Sequence, residues 1–436
     1  MEQLQRTKKK IKYTSDWTLW ACYIILCAIS VVEVFSASSL ELKKGSVYLP
    51  IASHFMFLGM GFVAMFLIEH LHYKYTKLLS ILFAVGAFIF ALITPFVGVE
   101  INGAKRSIDI GIMLVQAAEP CKVALAMFLA FLMSIMQKED NSGLTWKGVL
   151  WSFLTIISFV AVLISQGGSN ALLVLLVGVT MMLIGGLPKP LFWGGVISVI
   201  AAIVVVIVLI SAPSKEIPQD VPQTARKEVV EENDKFFKKI FGRFSTWSKR
   251  IEDWKPGGIP EYEKPTTDEN SQKHHAYMAV ANGKGIGVMP GNSRECSRLQ
   301  LAFSDFIYAI ILEELGLLGG IIVLLCYLGI VIRACMISKK CKSPYARFLI
   351  VGMALVISYQ AFYHMCISVG LLPVSGQPLP FISKGGTSIL FMSIAMGLML
   401  SVSRYAVERT DMGLKTIDED DELPNDLKAE NPAGGF

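Results

Sequence analysis

Charge is scarce in this chain. Of its 436 residues 17% are Asp, Glu, Lys or Arg, while 53% are hydrophobic. Soluble domains carry about 25% charged residues, so an ordinary soluble protein is excluded. Cysteine is equally uninformative: the eight cysteines lie mostly in or beside apolar stretches, with Cys296 the clear exception, and neither a CxxC pair nor a disulfide framework is visible. Alternating segments of about ten residues, the mark of a membrane β-barrel, are missing. So is a small-residue cleavage site after the first apolar run, which therefore reads as a retained span and not as a signal peptide.

What the chain has is long apolar runs. Helical runs of about 17–25 residues span a bilayer. About ten such runs are present, near 17–37, 49–69, 77–97, 119–137, 148–165, 170–187, 190–212, 305–333, 346–371 and 386–405. The expected fold class is all-α, a polytopic membrane protein. Lys and Arg concentrate in alternate connections: Arg6 to Lys12, Lys74 and Lys77, Lys138 and Lys147, then Arg333 to Arg347. By the positive-inside rule these connections and both termini face the cytoplasm. The expected organisation is a cytoplasmic N-terminus at 1–16, seven spans in 17–211, a large extracytoplasmic loop at 212–304, three spans in 305–405 and a cytoplasmic tail at 406–436. The tail is acidic and nearly free of aromatics, a composition that predicts disorder.

The large loop carries two features. In "DKFFKKIFGRFSTWSKRIEDW" the residues Phe237, Ile240, Phe244, Trp247, Ile251 and Trp254 recur at steps of three or four, a helical stripe. Lys238, Lys239, Arg243, Lys249 and Arg250 occupy its other faces. Such a helix belongs at a membrane surface. Its basic residues either are solvated or meet an anionic headgroup such as a pyrophosphate. The loop ends in "ANGKGIGVMPGNSRECSRLQLAFSD", where Gly283, Gly285, Gly287 and Gly291 permit tight turns and close approach to a ligand. No strand precedes this run, so neither a Rossmann nor a P-loop reading applies.

Two more outward segments carry reactive groups. "GVEINGAKRSIDIGIMLVQAAEPCK" holds Lys105, Arg106, Glu119 and Lys122. Glu119 and Lys122 stand at i and i+3 on one helix face, as a structural ion pair or as part of a site. "LLPVSGQPLPFISKGGTS" concentrates prolines and glycines before the last span: a tight connector, or a rigid backbone held against something. Asp305 opens the apolar run at 305, where it reads as a helix cap or as a reacting group. Glu313 and Glu314 follow inside that run, roughly 12 Å deeper by helical rise. Glu33 is a further intramembrane acid, and such groups are costly to bury.

Taken together these motifs resemble the SEDS family, whose members include FtsW, RodA and SpoVE. The resemblance runs from Asp16 to about Arg404. It rests on "SDWTLW" with "FSASS", "NGAKRSIDIG" followed by "QAAEPCK", "GKGIGVMPGNS", "SDFIYAIILEELGLLGG" and "GLLPVSGQPLPFISKGGTS". The first motif and the acidic tail are more similar to the division-type FtsW branch than to the elongation-type RodA branch. The resemblance implies a peptidoglycan glycosyltransferase that polymerises lipid II into glycan strands at the outer face of the cytoplasmic (inner) membrane. It would work with a class B penicillin-binding protein and other divisome proteins, and with no nucleic acid.

The family's essential acid falls on Asp305, its QPSExxK acid and base on Glu119 and Lys122, and its Asn-Gly-Ala-Arg/Lys-Arg stretch on Asn102 to Arg106. Departures exist. Ala117 and Ala118 replace Pro and Ser, the Pro and His before the essential Asp are absent, and Gln166 to Asn170 lacks an acid. Lys384 replaces a common Tyr, and His364 a frequent Asn. Lipid II is α-linked and the polymer β-linked, so the transfer inverts. Asp305 is the expected base for the acceptor hydroxyl, with Lys122 as its salt-bridge partner. Lys105, Arg106, Arg243 and Arg250 are candidates for the leaving pyrophosphate. Gly285, Gly287, Ser293, Pro380, Ser383 and Lys384 are candidate substrate contacts. A divalent cation, Mg or Mn, is implied by the resemblance alone; the sequence shows no metal cluster, and no organic cofactor is expected.

Two readings from other classes compete. A lipid II flippase would suit many spans with Glu33, Glu313 and Glu314 inside them, but the polar motifs cluster on one face, which favours an enzyme. A scaffold that only recruits the crosslinking enzyme would not need Asp305.

Overall fold

A computed structural model of the chain describes residues 15–41, 48–101, 104–111, 113–138, 143–164, 166–187, 270–299, 302–410 and 413–416. Among the described residues eight helices are long and apolar enough to cross a membrane. They are α1 (Trp17–Glu41), α2 (Tyr48–His70), α3 (Tyr73–Val97), α4 (Ala118–Ile135), α5 (Trp146–Ile164), α10 (Gly316–Ser338), α11 (Pro344–Ser368) and α12 (Thr387–Tyr405). A shorter apolar helix, α6 (Gly168–Ile184), brings the set to nine. The span expected near 190–212 lies outside the described residues, as do the amphipathic stripe and with it Arg243 and Arg250. The protein is a multi-pass helical membrane protein, as the apolar runs predict.

Three helices make the centre. The apolar stretches of α11 and α12 are each 78% buried and that of α4 is 72%, against 17% for α2. Lipid solvates apolar side chains as well as protein does, so close backbone contact rather than hydrophobicity brings such helices together. Small residues provide it where α2 meets α12. A Cβ on Gly61 would lie 2.7 Å from Ser393 Oγ, and one on Gly397 2.8 Å from the Met65 carbonyl oxygen. At one end of the bundle Asp16, from "SDWTLW", caps α1 by accepting from the N–H groups of Thr18 (2.9 Å) and Leu19 (3.3 Å). Its other oxygen pairs with Arg333 of α10 at 2.7 Å.

Three features depart from the expected layout. Residues 99–116 form a small antiparallel sheet, β1 (Val99–Ile101), β2 (Ala104–Asp109) and β3 (Leu114–Gln116), with Ser107 opposite Gln116. Its strands are too short to betray themselves by alternation. The tail, expected to be disordered from 406, opens with a hairpin of β4 (Val407–Thr410) and β5 (Gly413–Thr416). Part of the large loop is helical: α7 (Ser271–Gly283) precedes the glycine-rich run.

A fourth departure bears on function. The apolar run from 305 does not form one span. It divides into a single turn, α8 (Ala302–Asp305), a buried short helix, α9 (Ile307–Glu314), and the spanning α10. The break lies at Gly316, whose φ of +69° suits glycine and few other residues. A side chain there would strike the backbone of Gly285 to Gly287.

Candidate functional site

The family-like motifs meet at one end of the bundle. The N-termini of α4, α6 and α12 lie there, together with the C-terminus of α11, the small sheet and the α8–α9 turn. The segment 369–386 between α11 and α12 ties them together. Ser383 is central to it: its Oγ accepts from Leu379 N–H (2.6 Å) and donates to the Ser304 carbonyl oxygen (3.0 Å). The Lys384 N–H donates to the Phe303 carbonyl oxygen at 2.9 Å. The backbone ahead of Asp305 is thus fixed twice by this one segment.

Asp305 ends α8 and stands two residues before α9. The N-cap position of α9 is taken by Phe306, which makes no side-chain cap bond. The expectation that Asp305 itself opens a long helix is corrected here: it closes the single turn α8. Ser304 Oγ donates to Asp305 Oδ1 (2.8 Å), and the side chain is partly exposed. Gly376 forms its neighbouring wall.

Lys122 lies elsewhere. The expected salt bridge between Lys122 and Asp305 is not among the ion pairs of the described residues. Lys122 Nζ instead pairs with Glu119 Oε1 (2.7 Å) and donates to Gln360 Oε1, and all three side chains are buried. A buried ammonium needs a close counter-charge, and the i, i+3 carboxylate of its own helix is the nearest available. Gln360 passes the connection on. Its amide donates to the Pro378 carbonyl oxygen (2.9 Å) and to Ser388 Oγ (3.1 Å). One turn further along α11, His364 Nδ1 donates to the Gln377 carbonyl oxygen (2.7 Å). Gln377 Nε2 reaches Ser169 Oγ of α6 at 3.1 Å. Lys122 and Asp305 are therefore linked through the 375–384 backbone and not by direct contact.

The glycine-rich loop has another use than the expected one. It folds back on the end of α9. Val288 and Met289 donate their N–H groups to the carbonyl oxygens of Glu313 and Glu314, each at 2.9 Å. A Cβ on Gly287 (φ +83°) would overlap the Glu314 carbonyl oxygen, so the close approach it permits is to the chain's own helix. Ser293 Oγ donates to Glu313 Oε2 (2.5 Å), which removes it from the free substrate contacts. Glu313 also accepts from Asn282 Nδ2 (3.1 Å) and from the Arg294 N–H (3.2 Å). Glu314 accepts from Ser36 Oγ of α1 (2.6 Å) and from the Gly291 N–H (3.3 Å). These two acids anchor a loop. They do not line a path across the bilayer. Gly285 is different: no atom lies within 4 Å of a Cβ built there. Both oxygens of Glu33 are buried without a hydrogen-bond partner among the described residues.

Of the remaining expected contacts, Pro380 is buried and its carbonyl oxygen accepts from Tyr327 Oη, which makes it structural. Lys384 is exposed beside the Asp305 turn. Lys105 and Arg106 lie in β2, and the Arg106 carbonyl oxygen accepts from the Ala117 N–H (3.2 Å), just ahead of Glu119. Among the described residues no three His, Cys, Asp or Glu side chains gather to hold a metal ion. Glu119 gives Oε1 to Lys122, while its Oε2 is buried without a hydrogen-bond partner among the described residues. Sequence reasoning passed over Gln360, Gly376 and Gln377. The signal available was Gln360 with His364 at i, i+4: polar groups in the middle of an apolar helix mark function.

A multi-pass helical bundle that gathers Asp305, Lys384 and the Glu119–Lys122 pair at one end defines the class, a polytopic membrane protein with its polar motifs on one side. The family is specific. The model of the FtsW/RodA/SpoVE cell cycle protein family matches residues 16–220 and 236–408, and the chain belongs to that family. Among its relatives, a probable peptidoglycan glycosyltransferase FtsW of Xanthomonas oryzae pv. oryzae is 26% identical over 91% of this chain and 74% of the relative. The stage V sporulation protein E of Bacillus subtilis is 27% identical over 91% of this chain and 98% of its own length. The fold is shared with a peptidoglycan synthase complex that coordinates polymerisation and crosslinking (TM-score 0.64, 19% identity, 90% of this chain and 98% of that one). It is shared also with the rod shape determining protein RodA of Thermus thermophilus (TM-score 0.59, 19% identity, 90% and 98%).

Proposed function

We propose that this protein is a peptidoglycan glycosyltransferase of the division type, which polymerises lipid II with release of undecaprenyl pyrophosphate. The observation that carries the reading is the placement of Asp305. Its carboxylate is partly exposed, accepts from Ser304 Oγ, and is held on a turn that the segment before α12 fixes through Ser383 and Lys384. A base needs that combination of reach and rigidity. Relatives named peptidoglycan glycosyltransferase support the reaction class.

In the mechanism Asp305 takes the proton of the acceptor sugar hydroxyl as that oxygen attacks the anomeric carbon from the face opposite the pyrophosphate, and the configuration inverts. Lys384, Arg106 and Lys105 stabilise the departing pyrophosphate; Arg243 and Arg250 are proposed to join them from the large loop. Lys122, Glu119 and Gln360 position the Pro378 backbone and act on Asp305 only through it. The reading places the site at the outer face of the cytoplasmic membrane, with both termini inside. Its partners are the nascent glycan strand, a class B penicillin-binding protein and other divisome proteins.

The test is polymerisation of lipid II by the purified full chain, alone and with a class B penicillin-binding protein, beside Asp305→Asn. Glycan strands from the parent and none from the variant are expected. A parent that moves lipid II across vesicles yet makes no polymer under either condition would be a flippase, and the reading would fall.

A further inference from the structure

At the end of the bundle opposite Asp305 lies a cavity of about 160 Å³. It is walled by the C-terminus of α6 (Ile184, Gly185, Gly186), Ser338 of α10, and Arg347 and Val351 of α11, with Gln137 at its rim. Helix direction fixes its position. Gln360 belongs to the site described above, and Arg347 precedes it by thirteen residues on the same helix, roughly 20 Å of rise. The cavity therefore shares no residue with that site.

None of the described residues that line it is an acid. Arg347 forms no ion pair among the described residues. Its Nε is buried without a hydrogen-bond partner, and its Nη2 reaches only the Lys342 carbonyl oxygen, at 3.4 Å. The surroundings add to the positive potential. Lys339 and Lys340 precede α11. The first turn of α11 holds no acid, and its N-cap Ser343 makes no side-chain cap bond, so the positive end of the helix dipole is left uncompensated. A guanidinium presents donors in a fork that matches oxyanions. Volume limits the guest. About 160 Å³ far exceeds the roughly 15 Å³ that one water needs. It falls short of the roughly 300 Å³ at which pockets for drug-sized ligands begin.

We infer that this cavity binds a single phosphate-type oxyanion on Arg347; Ser338, whose hydroxyl donates to the Cys335 carbonyl oxygen at 2.9 Å, lines the cavity without adding a donor. Two sources share that chemistry: the headgroup of an anionic phospholipid in the same leaflet, and free inorganic phosphate. Basic pockets between helix ends are a recurrent way of holding anionic headgroups. This proposal does not depend on the reaction assigned above.

The experiment uses the full chain in nanodiscs of phosphatidylcholine alone, of phosphatidylcholine with phosphatidylglycerol, and of phosphatidylcholine with added inorganic phosphate. Thermal midpoint and retained phospholipid are read together. The parent should be raised in midpoint by one of the two anions. Protection by phosphatidylglycerol alone identifies the headgroup, and equal protection by inorganic phosphate identifies the free ion. Arg347→Gln should weaken that anion about tenfold, the loss expected for one charge-assisted contact. Arg347→Lys, which keeps the charge, should retain most of the effect and separates lost binding from lost folding. Val351→Phe, which fills the space without altering charge, should also lose the anion. The proposal is overturned if neither anion protects the parent, or if Arg347→Gln responds as the parent does.

Discussion

Gly376 stands against the carboxylate of Asp305. A Cβ built on Gly376 would come within 3.3 Å of Asp305 Oδ2, closer than such contacts normally run. The residue is glycine because the chain passes the acid at backbone distance. A methyl group should therefore displace the carboxylate by a few tenths of an ångström. We expect Gly376→Ala to lower polymerisation by a few fold and Gly376→Val by about a hundredfold, since a misplacement of about 1 Å costs that much. Thermal midpoints should stay close to the parent's. A Gly376→Val enzyme with parental turnover would remove Asp305 from the reaction.

Asp305→Asn keeps the size of the side chain and its bond from Ser304 but removes its basicity. Its turnover should fall by about a hundredfold or more, the range for loss of a general base. Lipid II binding, measured in the same preparation, should change little.

Lys122→Met leaves Glu119 buried beside an apolar chain. Breaking a buried pair from one side costs about 3–5 kcal/mol, whereas replacing both partners is often nearly neutral. The single variant should lose stability, and Lys122→Met with Glu119→Leu should regain most of it. Were Lys122 the direct partner of Asp305, the double variant would recover stability without recovering any activity; through its backbone route some activity should return. Thermal midpoint and polymerisation rate, read on both variants, decide between these.

Gly285 and Gly287 separate two uses of the same loop. Gly287→Ala places a side chain at a φ of +83° against the Glu314 carbonyl oxygen. It should destabilise by at least about 1–3 kcal/mol. Gly285→Ala meets open space and should change stability by no more than about 0.5 kcal/mol. If Gly285 touches substrate, its variant will show a raised KM at unchanged midpoint. An unchanged KM would restrict the loop to its anchoring role.

Run length, the distribution of Lys and Arg, and ordered motifs were readable along the chain because each depends on local composition. A helix of apolar residues long enough to cross a bilayer satisfies its own backbone, so α1 to α5 and α10 to α12 could be anticipated without knowing what they touch. The same holds for Glu119 with Lys122, since i and i+3 share a helix face whatever surrounds them. Asp305 was visible as an acid at the edge of an apolar run, which is again a local property.

Only the tertiary structure decided the rest, for reasons that lie in long-range contact. Lys122 is engaged by Gln360, 238 positions away, and no pattern in either helix announces the pairing. The run from 305 breaks at Gly316 because the loop from Gly283 to Ser293 folds onto that point; hydropathy, which averages over a window, sees one continuous span. Glu313 and Glu314 looked like acids stranded in lipid, and they are the acceptors that hold that loop. By itself the chain determined which segments are helices and which residues can carry charge. Where each charge goes was settled by packing, because in a bundle without water a buried polar group must take whichever partner the neighbouring helices bring within hydrogen-bond distance.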